Sequence, residues 1–392
     1  MRASSIPSGN PRPNTLKRIN MRRFLEELRK RGPSTRADLT RAIGVTPPTS
    51  SSIIADLLHT GFLEETEIAV PGKGRPGRYF RLATESAFII GATIDIADCE
   101  VAAAGLDGVL RKCNTSQFQT PHNYDALVAK LTARVRKVVA AATGKCLGLG
   151  VAVPGLVDSL HHRVAFSPNL HFLDDRNLAA DLEKVLGFPV VLTQEEHALC
   201  LSEQNFGGAG GLDEFAVVDF SSGVGMGVVS RGVYISGAQG FAGEIGHTTV
   251  EPNGRDCGCG NRGCLETVAS DGAFLRLARS LAGESLTFEE IEASLESRDT
   301  EFLGALDSTL DYIAIGLATV VNLFNPSTVF VHGRLFSLPG DVLAKLSTKV
   351  EARALSPSYR SADIRIGTGN KLHGAVAGLL NQLFASVGPT LG

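Results

Sequence analysis

Three cysteines within eight residues, Cys257-Gly-Cys259-Gly-Asn-Arg-Gly-Cys264, preceded by His247, constrain this chain more than any other feature. Zn²⁺ takes four tetrahedral ligands and favours thiolate and imidazole, and glycines let a chain fold back tightly around the ion. His247, Cys257, Cys259 and Cys264 fill four positions and leave none for a reacting water. The cluster therefore reads as a structural zinc site, with iron a remote alternative. The other cysteines, Cys99, Cys113, Cys146 and Cys200, stand alone among apolar or helical neighbours and read as small core residues. An odd total of seven, behind an N-terminus without an apolar h-region, argues against the disulfide framework of a secreted protein.

The 392 residues leave room for two or three domains, and 43% hydrophobic with 20% charged residues excludes a mostly disordered chain. No uninterrupted apolar run approaches the roughly 20 residues that span a bilayer. A cytoplasmic protein that does not engage a membrane is expected. The net charge of −3 hides a split. Residues 1–82 hold 15 basic against 7 acidic side chains, a net +8, while the remainder holds 23 against 34, a net −11. A basic front on an acidic body suggests that one end meets a polyanion.

Residues 1–14 are polar and rich in proline and serine, and read as a loose arm. From Thr15, Leu16, Ile19, Phe24, Leu25 and Leu28 recur at helical spacing up to Gly32-Pro33. Ser34 is placed to cap a second helix that stops at Gly44, and Thr46 to cap a third with Pro47 at its first position. Two alternating stretches then flank Pro-Gly-Lys-Gly-Arg-Pro-Gly. Three helices followed by a basic hairpin are the arrangement of a winged helix-turn-helix, expected over residues 15–82. Its DNA contacts would come from Thr49, Ser50, Ser51 and Ser52 at the start of the third helix, and from Lys73, Arg75 and Arg78 on the wing.

From Ala87 the texture changes. Buried strands, Gly-rich turns and helices near 124–142, 301–324 and 371–386 alternate, which implies an α/β body of two lobes with a cleft between them.

The segment GFAGEIGHTTVEPNGRDCGCGNRGCLE resembles the signature of the ROK family (repressors, open reading frames, kinases), and the resemblance extends over residues 87–392. It implies a bilobal sugar-kinase-like body of the actin-like ATPase, ribonuclease H-like class, carrying a structural zinc loop. With the N-terminal module, the chain resembles the repressor branch, the xylose- and N-acetylglucosamine-type regulators. Carried over by position, the resemblance implies a sugar cleft lined by Pro154, Gly155, Asn169, Glu195, Glu244, His247 and Glu266. Carboxylates and a carboxamide suit sugar hydroxyls. His247 has two ring nitrogens, so one can face zinc while the other faces the sugar.

Kinases of this fold carry two Gly-rich phosphate loops and a catalytic Asp, and the chain departs at all three. The first loop, normally Asp-x-Gly-Gly-Thr, reads Asp95-Ile96-Ala97-Asp98-Cys99-Glu100, without glycines and with added negative charge. The second, Ser221-Ser222-Gly223-Val224-Gly225-Met226-Gly227, is mildly altered. The family's Asn-Asp pair appears as Gln194-Glu195, whose extra methylene displaces the base. The expectation is a transcriptional regulator, most plainly a repressor of carbohydrate uptake or catabolism genes. It would bind operator DNA as a homodimer or dimer of dimers, sense a sugar or sugar derivative, and have lost phosphoryl transfer. The competing reading is an ATP-dependent sugar kinase with an appended DNA module.

Overall fold

The computed structural model describes residues 13–67, 78–158, 161, 163–283 and 285–387. The chain opens with α1 (Pro13–Arg31), a two-residue strand β1 (Ser34–Thr35), α2 (Arg36–Ile43), α3 (Pro47–His59), β2 (Leu63–Thr66) and β3 (Tyr79–Leu82). The expected succession of three helices and a hairpin is present, with one shift. Thr35, not Ser34, caps α2: its hydroxyl accepts from the Asp38 amide at 3.2 Å. Ser34 pairs with Phe80 in an antiparallel bridge, so the chain is still extended where the cap was expected. Pro47 occupies the first position of α3 as expected, but Thr46 before it makes no side-chain capping hydrogen bond, its hydroxyl meeting that of Thr49 at 2.9 Å.

The body holds two sheets of the same design. β4 (Ala87–Ile94), β5 (Asp98–Ala104), β6 (Leu110–Gln119), α4 (Tyr124–Ala141), β7 (Lys145–Val153), the short pair β8 (Leu156–Asp158) and β9 (Arg163–Phe166), α5 (Leu178–Leu186), β10 (Val190–Gln194) and α6 (Glu195–Phe206) build the first lobe. Its sheet order is β10-β7-β4-β5-β6, with β4 antiparallel to β5 and parallel to β7. The second lobe contains β11 (Phe215–Asp219), β12 (Gly225–Ser230), β13 (Val233–Tyr234), α7 (Glu266–Ala269), α8 (Asp271–Ala282), α9 (Phe288–Glu296), α10 (Thr300–Phe324), β14 (Thr328–His332), α11 (Val342–Glu351), α12 (Ser356–Ser361) and β15 (Asp363–Ile366). Its order, β13-β12-β11-β14-β15, repeats the first: β11 is antiparallel to β12 and parallel to β14. α13 (Lys371–Val387) closes the chain.

Continuous apolar strands such as AFIIGATI are buried on both faces, the pattern of strands covered by helices on each side. α10 is long and apolar enough by composition to cross a membrane, but Leu310, Ile313, Leu317, Val320 and Val321 bury it in the core of the second lobe. Among the isolated cysteines, Cys99 and Cys200 are buried and Cys146 is half-buried; the side chain of Cys113 lies outside the described set.

α13 ties the molecule together. It packs on α6, β4 and β7. Contact with α6 is close: a Cβ at Gly374 would lie 1.9 Å from the Ala198 carbonyl oxygen, so a bulkier residue would push the helices apart. At its far end Val376, Leu379, Leu380 and Phe384 enter one core with Phe24, Leu28, Leu57 and Phe62 of the N-terminal helices and hairpin. Phe384 meets Phe62 edge-on at 6.3 Å, Arg29 donates to Asn381 at 3.0 Å, and Arg18 donates to the Ser386 and Val387 carbonyls.

A second tie is polar. Glu64 on β2 accepts from the Ser86 amide and hydroxyl, the Glu85 amide, the Thr84 hydroxyl and Arg81. Burial acts to raise its carboxyl pKa, but these donors outweigh burial and hold it at about 2. A depressed carboxyl contributes stability above its ordinary value near 4.5 and loses it as pH falls towards 2. Glu64→Gln is therefore expected to lower the melting temperature at pH 7, with the gap to wild type closing between about pH 4.5 and 2. Thermal scans across that range check it, and a pH-independent gap would contradict the assignment.

Candidate functional site

The two lobes meet at a narrow cleft lined by side chains of both. Pro154, Gly155, Asn169, Glu195, Glu244, His247 and Glu266 all line it, so the seven residues expected around a sugar share one cavity. Local structure explains how. β7 ends at Val153, which leaves Pro154-Gly155 at the sheet's edge, and Gly155 has a φ of 89°. β10 runs into α6 without a linker, so Glu195 and Glu196 sit on the first turn of α6. Glu244 and His247 bracket a one-turn 3₁₀ helix.

Sequence reasoning missed two lining or adjacent groups, Glu196 and Lys371. Glu196 is half-buried beside Gly225, where a Cβ would fall 1.9 Å from its Oε1. Glu266 fills the neighbouring space over Gly223 and accepts from the Val224 amide at 3.0 Å. The glycines of the second loop thus seat carboxylates. The second missed group is Lys371 at the start of α13. Its Nζ lies 3.1 Å from Glu195 Oε2, 3.1 Å from Asp219 Oδ2 and 3.4 Å from Asp95 Oδ2. Nothing local marks it: a single lysine after Gly-Thr-Gly-Asn carries no motif, and only the fold brings it to three acids distant in sequence.

The electrostatics follow. Burial alone would lower the Lys371 pKa, but Asp219, Glu195 and Asp95 outweigh it and hold the ammonium charged. Burial raises Glu195 to about 8 despite Lys371, and raises Glu196 to about 7 with help from Glu244. Glu244, also buried, is pushed up to about 7 while accepting from Gln194 at 2.9 Å. Asp95 belongs to the first lobe and Asp219 to the second, so Lys371 spans the seam, as does the Ser222 hydroxyl, which donates to Asp95 at 2.7 Å. On the far side of Lys371 a second cavity is lined by Glu100, Asp271, His332 and Asn370 among others. Glu100 therefore does face the half of the cleft where a nucleotide was considered.

The ligand atoms of His247, Cys257, Cys259 and Cys264 lie within 4.8 Å of one another. Cys257 Sγ is 3.6 Å from His247 Nδ1, and Cys259 Sγ is 3.7 Å from Cys264 Sγ. A tetrahedron with Zn–S near 2.3 Å has edges of roughly 3.8 Å, so the four residues fit the ion. Asn261 donates to Cys264 Sγ at 3.4 Å, which favours a thiolate. The loop depends on Gly263, with a φ of 69° and an absent Cβ that would meet the Glu251 carbonyl at 1.5 Å. His247 Nε2 points the other way, 3.7 Å from Glu244 Oε2. The imidazole thus connects the loop to the cleft.

At the N-terminal end, the hydroxyls of α3 do not form the uniform exposed set expected. Ser50 is fully buried with no partner for its Oγ among the described residues, because it occupies the inward turn of α3 beside Ile53 and Ile54. It cannot reach DNA. Ser52 is exposed, Thr49 is half-buried, and Ser51 donates to the Pro47 carbonyl and accepts from Arg36, a basic residue the sequence reading passed over. Arg78 is exposed and pairs with Glu65 at 3.3 Å. Lys73 and Arg75 lie outside the described residues.

Comparison with known proteins agrees with this architecture. The family model described as "ROK family" matches residues 91–379. The xylose repressor of Bacillus subtilis (strain 168) is 28% identical over 352 residues, covering 89% of this chain and 91% of that protein. A glucokinase of Thermotoga maritima is 29% identical over 65% of this chain and 84% of its own. Among solved structures, a ROK family transcriptional regulator, homologue of the Escherichia coli Mlc protein, superposes with a TM-score of 0.80 over 95% of this chain and 98% of its own, at 22% identity. That likeness extends the shared fold to the N-terminal helices.

Two outcomes are expected. Cys259→Ser releases the bound metal, read by elemental analysis, and lowers the melting temperature of the body; full metal content with an unchanged melting curve would contradict the ligand set. Lys371→Met leaves the buried Asp219 and the half-buried Asp95 and Glu195 without their cation and destabilises by about 3 kcal/mol, the low end of the usual cost of removing one partner of a buried ion pair. Chemical denaturation reads this directly.

Proposed function

This chain belongs to the ROK family, and from that premise we propose that it is a sugar-responsive transcriptional regulator that acts as a repressor and has lost phosphoryl transfer. In this reading residues 15–82 bind operator DNA, the cleft binds a sugar or sugar derivative, and His247, Cys257, Cys259 and Cys264 hold a structural zinc that fixes the cleft wall. Support comes from the full-length likeness to a named repressor, the basic N-terminal module and the fit of the four metal ligands. Homodimers place two such modules on paired half-sites, the two-fold logic of operators.

The observation that carries the loss of catalysis is Lys371. Phosphoryl transfer to a sugar needs a divalent cation bridging the nucleotide's phosphates and carboxylates free to position it. Here Asp95, Glu195 and Asp219 are already engaged by an internal ammonium at 3.1–3.4 Å. The first loop lacks its glycines, and those of the second are filled by Glu196 and Glu266. A kinase with an appended DNA module would have to displace all of these.

α13 supports a route from ligand to DNA. Its 17 residues span about 25 Å at 1.5 Å per residue. Lys371 at one end touches both lobes, and Phe384 at the other lies in the core of the N-terminal module. A ligand that changes lobe closure would move Lys371 and with it the seat of the N-terminal helices, and it shifts DNA affinity only as far as it prefers one arrangement. The test is a titration of sugars into zinc-loaded protein bound to operator fragments. A saturable sugar that weakens DNA binding, with no phosphorylated product from ATP across the same panel, is expected. Turnover of ATP with any sugar would favour the kinase reading, and a folded protein that binds no sugar would remove the sensor.

A further inference from the structure

The cleft is acidic beyond what a neutral sugar requires. Six carboxylates line it, from Asp95, Glu195, Glu196, Asp219, Glu244 and Glu266, and no lysine or arginine is among the described lining residues. Lys371, behind the wall, serves Asp95, Glu195 and Asp219. His247 turns Nδ1 to the thiols. Glu266 is occupied by the Val224 amide and Glu244 by Gln194. That leaves Glu196, half-buried, with no ion pair among the described residues and with a buried Oε2 that has no hydrogen-bond partner; Glu195 Oε1 beside it is likewise buried and unpartnered.

Two adjacent carboxylates of the cleft lining, each with a buried oxygen that has no partner, form an incomplete cation site. Burying a carboxylate without a counter-charge is costly, and a ligand that supplies the charge removes the cost as it binds. We propose that the effector carries a protonated amine, so that it is an amino sugar with a free ammonium, and that Glu196 is the residue that selects it. The inference rests on the sugar-sensor reading above and names the ligand class. An ammonium offers three donors and a full charge to the free oxygens of Glu195 and Glu196, whereas a hydroxyl offers one donor and none of the charge. An N-acetylated sugar has lost the charge, and a sugar phosphate brings charge of the wrong sign. The raised pKa values of Glu195 and Glu196, caused first by burial, are the counterpart of the missing cation.

The experiment is calorimetric titration of the full-length, zinc-loaded protein at pH 7 with glucosamine, galactosamine and mannosamine, each against its neutral hexose and its N-acetyl derivative. At least one amine is expected to bind about tenfold or more tighter than both counterparts, a gap of about 1.4 kcal/mol. In Glu196→Gln the ratio of amine to hexose affinity should fall towards one, with folding checked by circular dichroism. If that variant does not fold, the wild-type panel still decides. Neutral or N-acetylated sugars binding as tightly as every amine would overturn the ammonium inference while leaving the sugar sensor standing. An unchanged ratio in a folded Glu196→Gln would overturn the role of Glu196. Absence of binding by all nine compounds would overturn both the inference and the reading it rests on.

Discussion

An ammonium held among three carboxylates at the seam between two lobes is the interaction on which the rest of this structure depends. Lys371 neutralises Asp95 from one lobe, Asp219 from the other and Glu195 from the helix between them. Without it the seam would hold like charges in a buried setting, where repulsion is poorly screened. With it, the lobes are joined at the place where related kinases would need room for a metal and a nucleotide. One side chain thereby provides cohesion and supports the proposed loss of chemistry.

The metal loop works on the same cleft from the opposite wall. Its four ligands converge within 4.8 Å, although His247 precedes Cys257 by ten residues. His247 presents one nitrogen to the thiols and the other towards Glu244. A metal bound by these four residues would keep the imidazole from rotating, so that the loop would hold the orientation of the cleft wall. Glycine is required at 263 because the returning chain passes against the Glu251 carbonyl.

The N-terminal module is not a loosely tethered appendage. Its core is continuous with the C-terminal half of α13, and Glu64 gathers the amides and hydroxyls of residues 84–86 at the entry to the first sheet. Packed cores have discrete arrangements and do not deform continuously. In the proposed coupling, a displacement of Lys371 at one end of α13 would be passed to Phe384 at the other.

Sequence alone determined the parts whose physics is local. Cysteine spacing picked out four donor side chains, His247, Cys257, Cys259 and Cys264, that the fold brings within 4.8 Å of one another. Helical periodicity and caps located α3, α4, α10 and α13 to within a residue or two, because amphipathic faces and terminal hydrogen bonds are written in neighbouring positions. Motif resemblance named seven lining residues, and all seven line one cleft. Only the tertiary structure decided the burial of Ser50, the pairing that moves the α2 cap from Ser34 to Thr35, the shared core at α13, and the two charges that define the cleft. Lys371 meets Asp95 across 276 residues and Glu196 packs beside Gly225. A charge in sequence has no partner and no dielectric until the chain is packed around it.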